Sequence, residues 1–145
     1  MKKRHILPKM SLLCLFTSAW AADGNYPVKA YQVSPYADVK LFNEHIKAVA
    51  AKQPRGVLAP LKLLEGLPLP EGHTRAYSWC AKPKAGKQVC TYREENIPDA
   101  LVAGVLQRVT FKLGQSGWYA ASIQRAWRCQ PRRGNSWAYQ VHLCG

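Results

Sequence analysis

The chain has 145 residues, 48% of them hydrophobic, and carries 21 Lys and Arg against 8 Asp and Glu, a formal net charge of +13. That length suits one domain, and so large an apolar fraction excludes a disordered polyelectrolyte. No apolar run reaches the roughly 20 residues that a helix needs to cross a bilayer.

The chain begins with Lys2, Lys3, Arg4 and Lys9, followed by an uncharged stretch from Met10 to Ala19. Ala19 and Ala21 then supply small residues where a signal peptidase needs them, so residues 1–21 read as a secretory signal cleaved before Ala22. Cys14 follows Leu13 rather than a small residue, so lipidation is not expected. Removal of the signal leaves 17 basic and 8 acidic residues, a net charge of +9, on 124 residues.

Export sets how the cysteines are read. Cys80, Cys90, Cys129 and Cys144 remain, an even number in a compartment where thiols pair. Segments Arg75–Ala81 and Gln88–Arg93 read as strands joined by Pro83 to Lys87, which sets Cys80 opposite Cys90. Facing residues of a non-hydrogen-bonded antiparallel pair have Cα atoms about 4.5 Å apart, within a disulfide's reach. Cys129 and Cys144 then pair, tying the chain end back. No C-x-x-C occurs, so no cysteine is expected to be a nucleophile or metal ligand.

From Asp23 to Val33 an extended lead-in containing Pro27 is expected. Ser34 is placed to cap a helix with Pro35 at its first position, where a missing N–H is harmless. Val39, Phe42, Ile46 and Val49 recur at helical spacing, with Lys40, Asn43, Glu44 and Lys47 on the other side, up to a stop at Gln53–Gly56. Pro60, Pro68 and Pro70 break the leucine-rich stretch that follows, leaving one short helix after Pro60, stopped by Gly66. Leu67 to Gly72 reads as a connector.

Beyond residue 72 the pattern becomes that of strands, and the charge balance moves from 6 basic and 5 acidic residues in 22–72 to 11 and 3 in 73–145. Pro98 to Ala103 is open between a short helix and a strand. Val105, Val109, Phe111 and Leu113 then alternate with Arg108, Thr110 and Lys112, a half-buried strand. A turn at Gly114–Gly117 leads to a strand Trp118–Cys129, a basic loop Gln130–Ser136, and a final strand in which Trp137, Tyr139, Val141 and Leu143 alternate with Ala138, Gln140 and His142. The expected fold is α+β: one amphipathic N-terminal helix, with one or two short helices, packed on an antiparallel sheet of about five strands and stapled by two disulfides.

Few residues suggest catalysis. Gly114-Gln115-Ser116-Gly117 is followed by Trp118, so it is not the G-x-S-x-G elbow of hydrolases. Glu94 and Glu95 are adjacent on a strand and point to opposite faces. His45, His73 and His142 lack the spacing of a metal site, and neither a metal nor a cofactor is expected. A basic and aromatic C-terminal surface remains: Arg125, Arg128, Arg132 and Arg133, accompanied by Trp118 and Trp137. Guanidinium groups grip carboxylate or phosphate, and indole rings stack on sugars or receive cations.

These features point to an exported, non-catalytic binding protein of the cell envelope, periplasmic or secreted, acting on a protein partner as an inhibitor, immunity factor or assembly accessory. Two alternatives stand beside it. One is a binder of an anionic envelope polymer or membrane surface; the other is an envelope hydrolase in which His73 or His142 meets Glu94, Glu95 or Asp99 across the fold. Export and the lack of a DNA-binding module argue against nucleic acid.

Overall fold

The computed structural model describes residues 26–53 and 55–145. The expected signal segment 1–21, with Cys14, lies outside the described residues.

Helix α1 spans Tyr36–Ala51, and its expected stripe, Val39, Phe42, Ile46 and Val49, is the face it buries. It begins one residue later than the sequence suggests. Pro35 takes the cap position and its carbonyl accepts from Val39, while the Ser34 side chain caps nothing. The Ser34 backbone N–H instead donates to the Ile123 carbonyl at 2.8 Å, anchoring the helix start to the sheet. Helix α2, Pro60–Glu65, starts on the expected proline, buries Leu63 and Leu64, and ends at Gly66. That glycine permits close helix packing, because a Cβ there would fall 2.5 Å from a methyl of Val49.

Strand β1 is Gln32–Val33, and β2 to β5 are Thr74–Cys80, Lys87–Glu95, Val102–Gly114 and Gly117–Cys129. They form one antiparallel sheet in the order β1-β5-β4-β3-β2. The β2–β3 hairpin closes at Ala85-Gly86, both with positive φ, and holds Cys80 opposite Cys90 with Cα atoms 4.0 Å apart. Cys129 bonds Cys144 as the second disulfide. The open choice at 98–103 falls to a turn followed by a strand. The Asp99 carboxylate accepts from the N–H groups of Leu101 and Val102 at 2.7 and 2.8 Å, fixing the chain just before β4. Those two donors hold the Asp99 carboxyl below its ordinary pKa.

The expected final strand, Trp137 to Leu143, does not form. Among the described residues the segment makes two isolated bridges, Tyr139 with Val28 and Gln140 with Trp127, and β1 occupies the sheet edge beside β5. The Asn135 side chain turns the chain by accepting from the N–H groups of Trp137 and Ala138, and the Cys144 bond pulls the end back to Cys129. Alternation was correct in period, but the tether leaves too little chain to run along an edge.

Both helices lie on one side of the sheet. Their buried residues pack with Cys90, Tyr92, Val109, Phe111, Ala120 and Ile123 to form the main core. The Asn43 amide both donates to the Ala120 carbonyl and accepts its N–H, sealing the edge of β5 that short β1 leaves uncovered. On the opposite side Leu106, Ala126 and Tyr139 form a small second cluster with Tyr31.

Candidate functional site

Strand register sorts the covered face into rows. Cys80, Cys90, Val109 and Ile123 are successive cross-strand partners, an apolar row beneath the helices. Two residues further along each strand, the next row reads Ser78, Tyr92, Gln107 and Arg125, continued by Gln32 of β1. All of its members are polar. Arg75 and Glu94 lie opposite one another in the row beyond, and a bulge between Arg75 and Tyr77 lets β2 keep Arg75 on this face.

A cleft of about 340 Å³ opens over this polar region. Its floor is Tyr92, Gln107, Arg75, Glu94 and Arg125, α1 contributes Asp38, Leu41, Phe42 and His45, and the connector closes it with Leu67, Pro68 and Leu69. Arg125 Nη1 donates to Asp38 Oδ2 at 2.9 Å. Arg75 is held by the carbonyls of Glu65 and Leu67, at 2.9 and 3.0 Å, with its guanidinium 5.8 Å from the Tyr92 ring centre. His73 Nδ1 lies 2.8 Å from Glu94 Oε2. Burial first, and the Glu94 charge second, push the Tyr92 phenol well above its ordinary range, so it stays neutral. The histidine–carboxylate contact envisaged for a hydrolase is thus present at the margin of a cleft, while among the described residues no group of three His, Cys, Asp or Glu converges.

The opposite face holds a different polar cluster. Glu95 Oε1 accepts from the Tyr139 hydroxyl at 2.7 Å and lies 3.1 Å from Arg93 Nε, while Oε2 accepts from Arg128 Nη2 at 2.8 Å. Arg128 also donates to the Ser136 carbonyl and sits 4.0 Å over the Tyr26 ring. Burial and the Glu95 charge raise the Tyr139 phenol far above its usual pKa. Gly104 leaves room for this cluster, since a Cβ there would come within 2.9 Å of the Tyr139 hydroxyl.

The arginines singled out in the sequence are therefore not one patch. Arg125 faces α1 and pairs with Asp38; Arg128, three residues on, faces the other side and pairs with Glu95. Arg132 and Arg133 are exposed in the loop after β5. Trp118 packs against the main core, and Trp137 is exposed with the Lys29 ammonium 4.0 Å over its ring.

A basic and aromatic surface does exist elsewhere. On the sheet face away from the helices, β2 presents Tyr77 and Trp79, 41% and 54% exposed. Beside them, by strand alternation, come Thr91, Arg108, Lys87 and Lys112, the last two directly paired. The single acidic strand residue on this face is Glu95, neutralised as described. Two signals concealed this surface: its basic residues come from two strands, and Trp79 sits next to a cysteine in a hairpin that reads as structural.

Comparison with known proteins finds no matching family model, no matching curated protein and no matching solved structure.

Proposed function

We propose that this chain is an exported, non-catalytic binding protein of an oxidising compartment, periplasmic or secreted, which docks an acidic protein partner on the open face of its sheet. The reading is carried by one observation: the face left bare by the helices presents exposed Tyr77 and Trp79 beside Arg108, Lys87 and Lys112, with no exposed strand acid. Exposed aromatic residues among cations are the anchors that protein interfaces use, and unbalanced positive charge selects an acidic counterpart and speeds encounter. Two further facts support it. Both disulfides suit an oxidising compartment, and no described helix is long and apolar enough to cross a membrane. The Cys80–Cys90 bond also stiffens the hairpin that carries Trp79, which lowers the ordering cost of binding.

The test is capture from an envelope extract across a salt series on three baits: wild type, Trp79→Ala with Arg108→Glu, and Arg132→Ala with Arg133→Ala. The expected result is one defined protein held by the wild type and the loop variant and lost by the face variant. Retention of glycan or lipid that salt releases, or a protein held equally by all three baits, would overturn the reading.

A further inference from the structure

The row Ser78, Tyr92, Gln107 and Arg125 occupies positions that ought to be core. It lies on the helix-covered side, one step from Cys80, Cys90, Val109 and Ile123, and α1 passes over both rows. β2, β4 and β5 change from apolar to polar at the same step, while β3 supplies Tyr92, whose ring belongs to the main core and whose hydroxyl is the polar part. Burying polar groups is costly unless they are hydrogen-bonded, and these are incompletely so. Among the described residues Ser78 Oγ and Gln107 Oε1 are buried with no hydrogen-bond partner, as are the Nε atoms of Arg75 and Arg125. Gln107 is only 9% exposed. The Glu95 cluster on the other face also keeps a buried Arg128 Nε without a hydrogen bond among the described residues, but there Arg93, Arg128 and Tyr139 all reach one carboxylate. A fold that buries incompletely bonded polar groups along one row, under a cleft, is arranged for something other than its own stability.

The lining of the cleft narrows what that is. Both signs of full charge face one space: Arg75 and Arg125 against Asp38 and Glu94. Glu94 Oε2 lies 2.8 Å from His73 Nδ1, and Arg125 donates to Asp38 through Nη1. The remaining wall is Leu41, Phe42, Leu67, Pro68 and Leu69, apolar apart from His45 of α1. A sugar would want an open aromatic plane, but Tyr92 and Phe42 are both buried and Tyr92 is covered by Arg75. A simple anion or cation would meet an equal opposing charge. A molecule with an ammonium, a carboxylate and an aliphatic side chain meets a complement for each part.

We infer that the cleft between α1, the 67–69 connector and the polar row of the sheet binds a free α-amino acid with an aliphatic side chain. Its carboxylate lies toward Arg125 and Gln107, its ammonium toward Glu94, and its side chain against Leu41, Leu67 and Leu69. About 340 Å³ is at the small end of ligand pockets, in keeping with a molecule of this size. The site is on the other side of the sheet from the proposed docking face and does not depend on that reading.

Calorimetric titration and thermal unfolding of the oxidised protein test it, with L-leucine, L-valine and L-methionine as probes and N-acetyl-L-leucine, L-leucinol and D-glucose as controls. At least one free amino acid is expected to bind and to raise the unfolding temperature, with N-acetyl-L-leucine and L-leucinol, each lacking one charge, at least tenfold weaker. The second arm is Gln107→Leu, which continues the apolar row. It is expected to unfold at a higher temperature than wild type and to lose binding. No binding by any of the three amino acids, equal binding of glucose or leucinol, or a Gln107→Leu protein that unfolds at a lower temperature would overturn the inference, the last because the row would then be structural.

Discussion

Two polar clusters, each largely covered, lie on opposite sides of one sheet, and they are built differently. Around Glu95, two arginines and a tyrosine from three segments meet a single carboxylate. Across the covered face, Ser78, Tyr92, Gln107 and Arg125 lie side by side in register, and two of them keep a buried oxygen with no hydrogen-bond partner among the described residues. The first arrangement holds the terminal segments against the sheet. The second joins the sheet to α1 through the partly exposed Arg125–Asp38 pair. Buried polarity by itself therefore does not distinguish structure from site; what differs is that one cluster closes on a single carboxylate while the other lines a cleft.

The sharpest way to break that comparison is to remove the centre of the closed cluster. Glu95→Gln leaves Arg93 and Arg128 without their shared counter-charge in a largely buried setting, and denaturant unfolding should show a loss of about 3–5 kcal/mol. A loss below about 1 kcal/mol would mean that the cluster is as dispensable as the row. Gln107→Leu, by contrast, should not destabilise.

Next comes the tether. Cys129→Ser with Cys144→Ser frees the segment bearing Tyr139 and should cost about 3 kcal/mol by chain entropy. Cys80→Ser with Cys90→Ser should cost less, because the β2–β3 ladder holds the same hairpin on its own. The reverse order, measured by unfolding of the two oxidised double variants, would show that the ladder is the weaker restraint.

Alkaline titration tests both clusters together. The folded phenols of Tyr92 and Tyr139 ionise above their unfolded value of about 10, so the stability they contribute is fully present below pH 10 and is lost as pH rises toward the folded values. Phenolate absorbance should appear from exposed tyrosines first, with two rings ionising only as the protein unfolds. Phe replacements at 92 and 139 should remove those two. The smallest effect belongs to the surface: Lys62→Ala breaks the exposed pair with Glu65 and should change stability by no more than about 0.5 kcal/mol.

Local order in this protein was written locally. The stripe of α1, the start of α2 at Pro60 and its stop at Gly66, and the facing of Cys80 and Cys90 all follow from periodicity, proline and glycine placement, and hairpin geometry. Each depends on residues within about fifteen positions of one another. The opposed directions of Glu94 and Glu95 are of the same kind, because side chains alternate along any strand.

What only the tertiary structure decided depends on register between distant strands. Arg125 and Arg128 look like neighbours along the chain, yet the pleat sends them to opposite faces and to different acids, Asp38 from α1 and Glu95 from β3. Trp137 to Leu143 alternates as a strand should, but the edge beside β5 goes to Gln32–Val33, whose short reach needs no competing tether. Most of all, Ser78, Tyr92, Gln107 and Arg125 are separated by 14, 15 and 18 positions and carry no shared motif. Pairing of four strands makes them one row, and the helix crossing above makes that row the floor of a cleft.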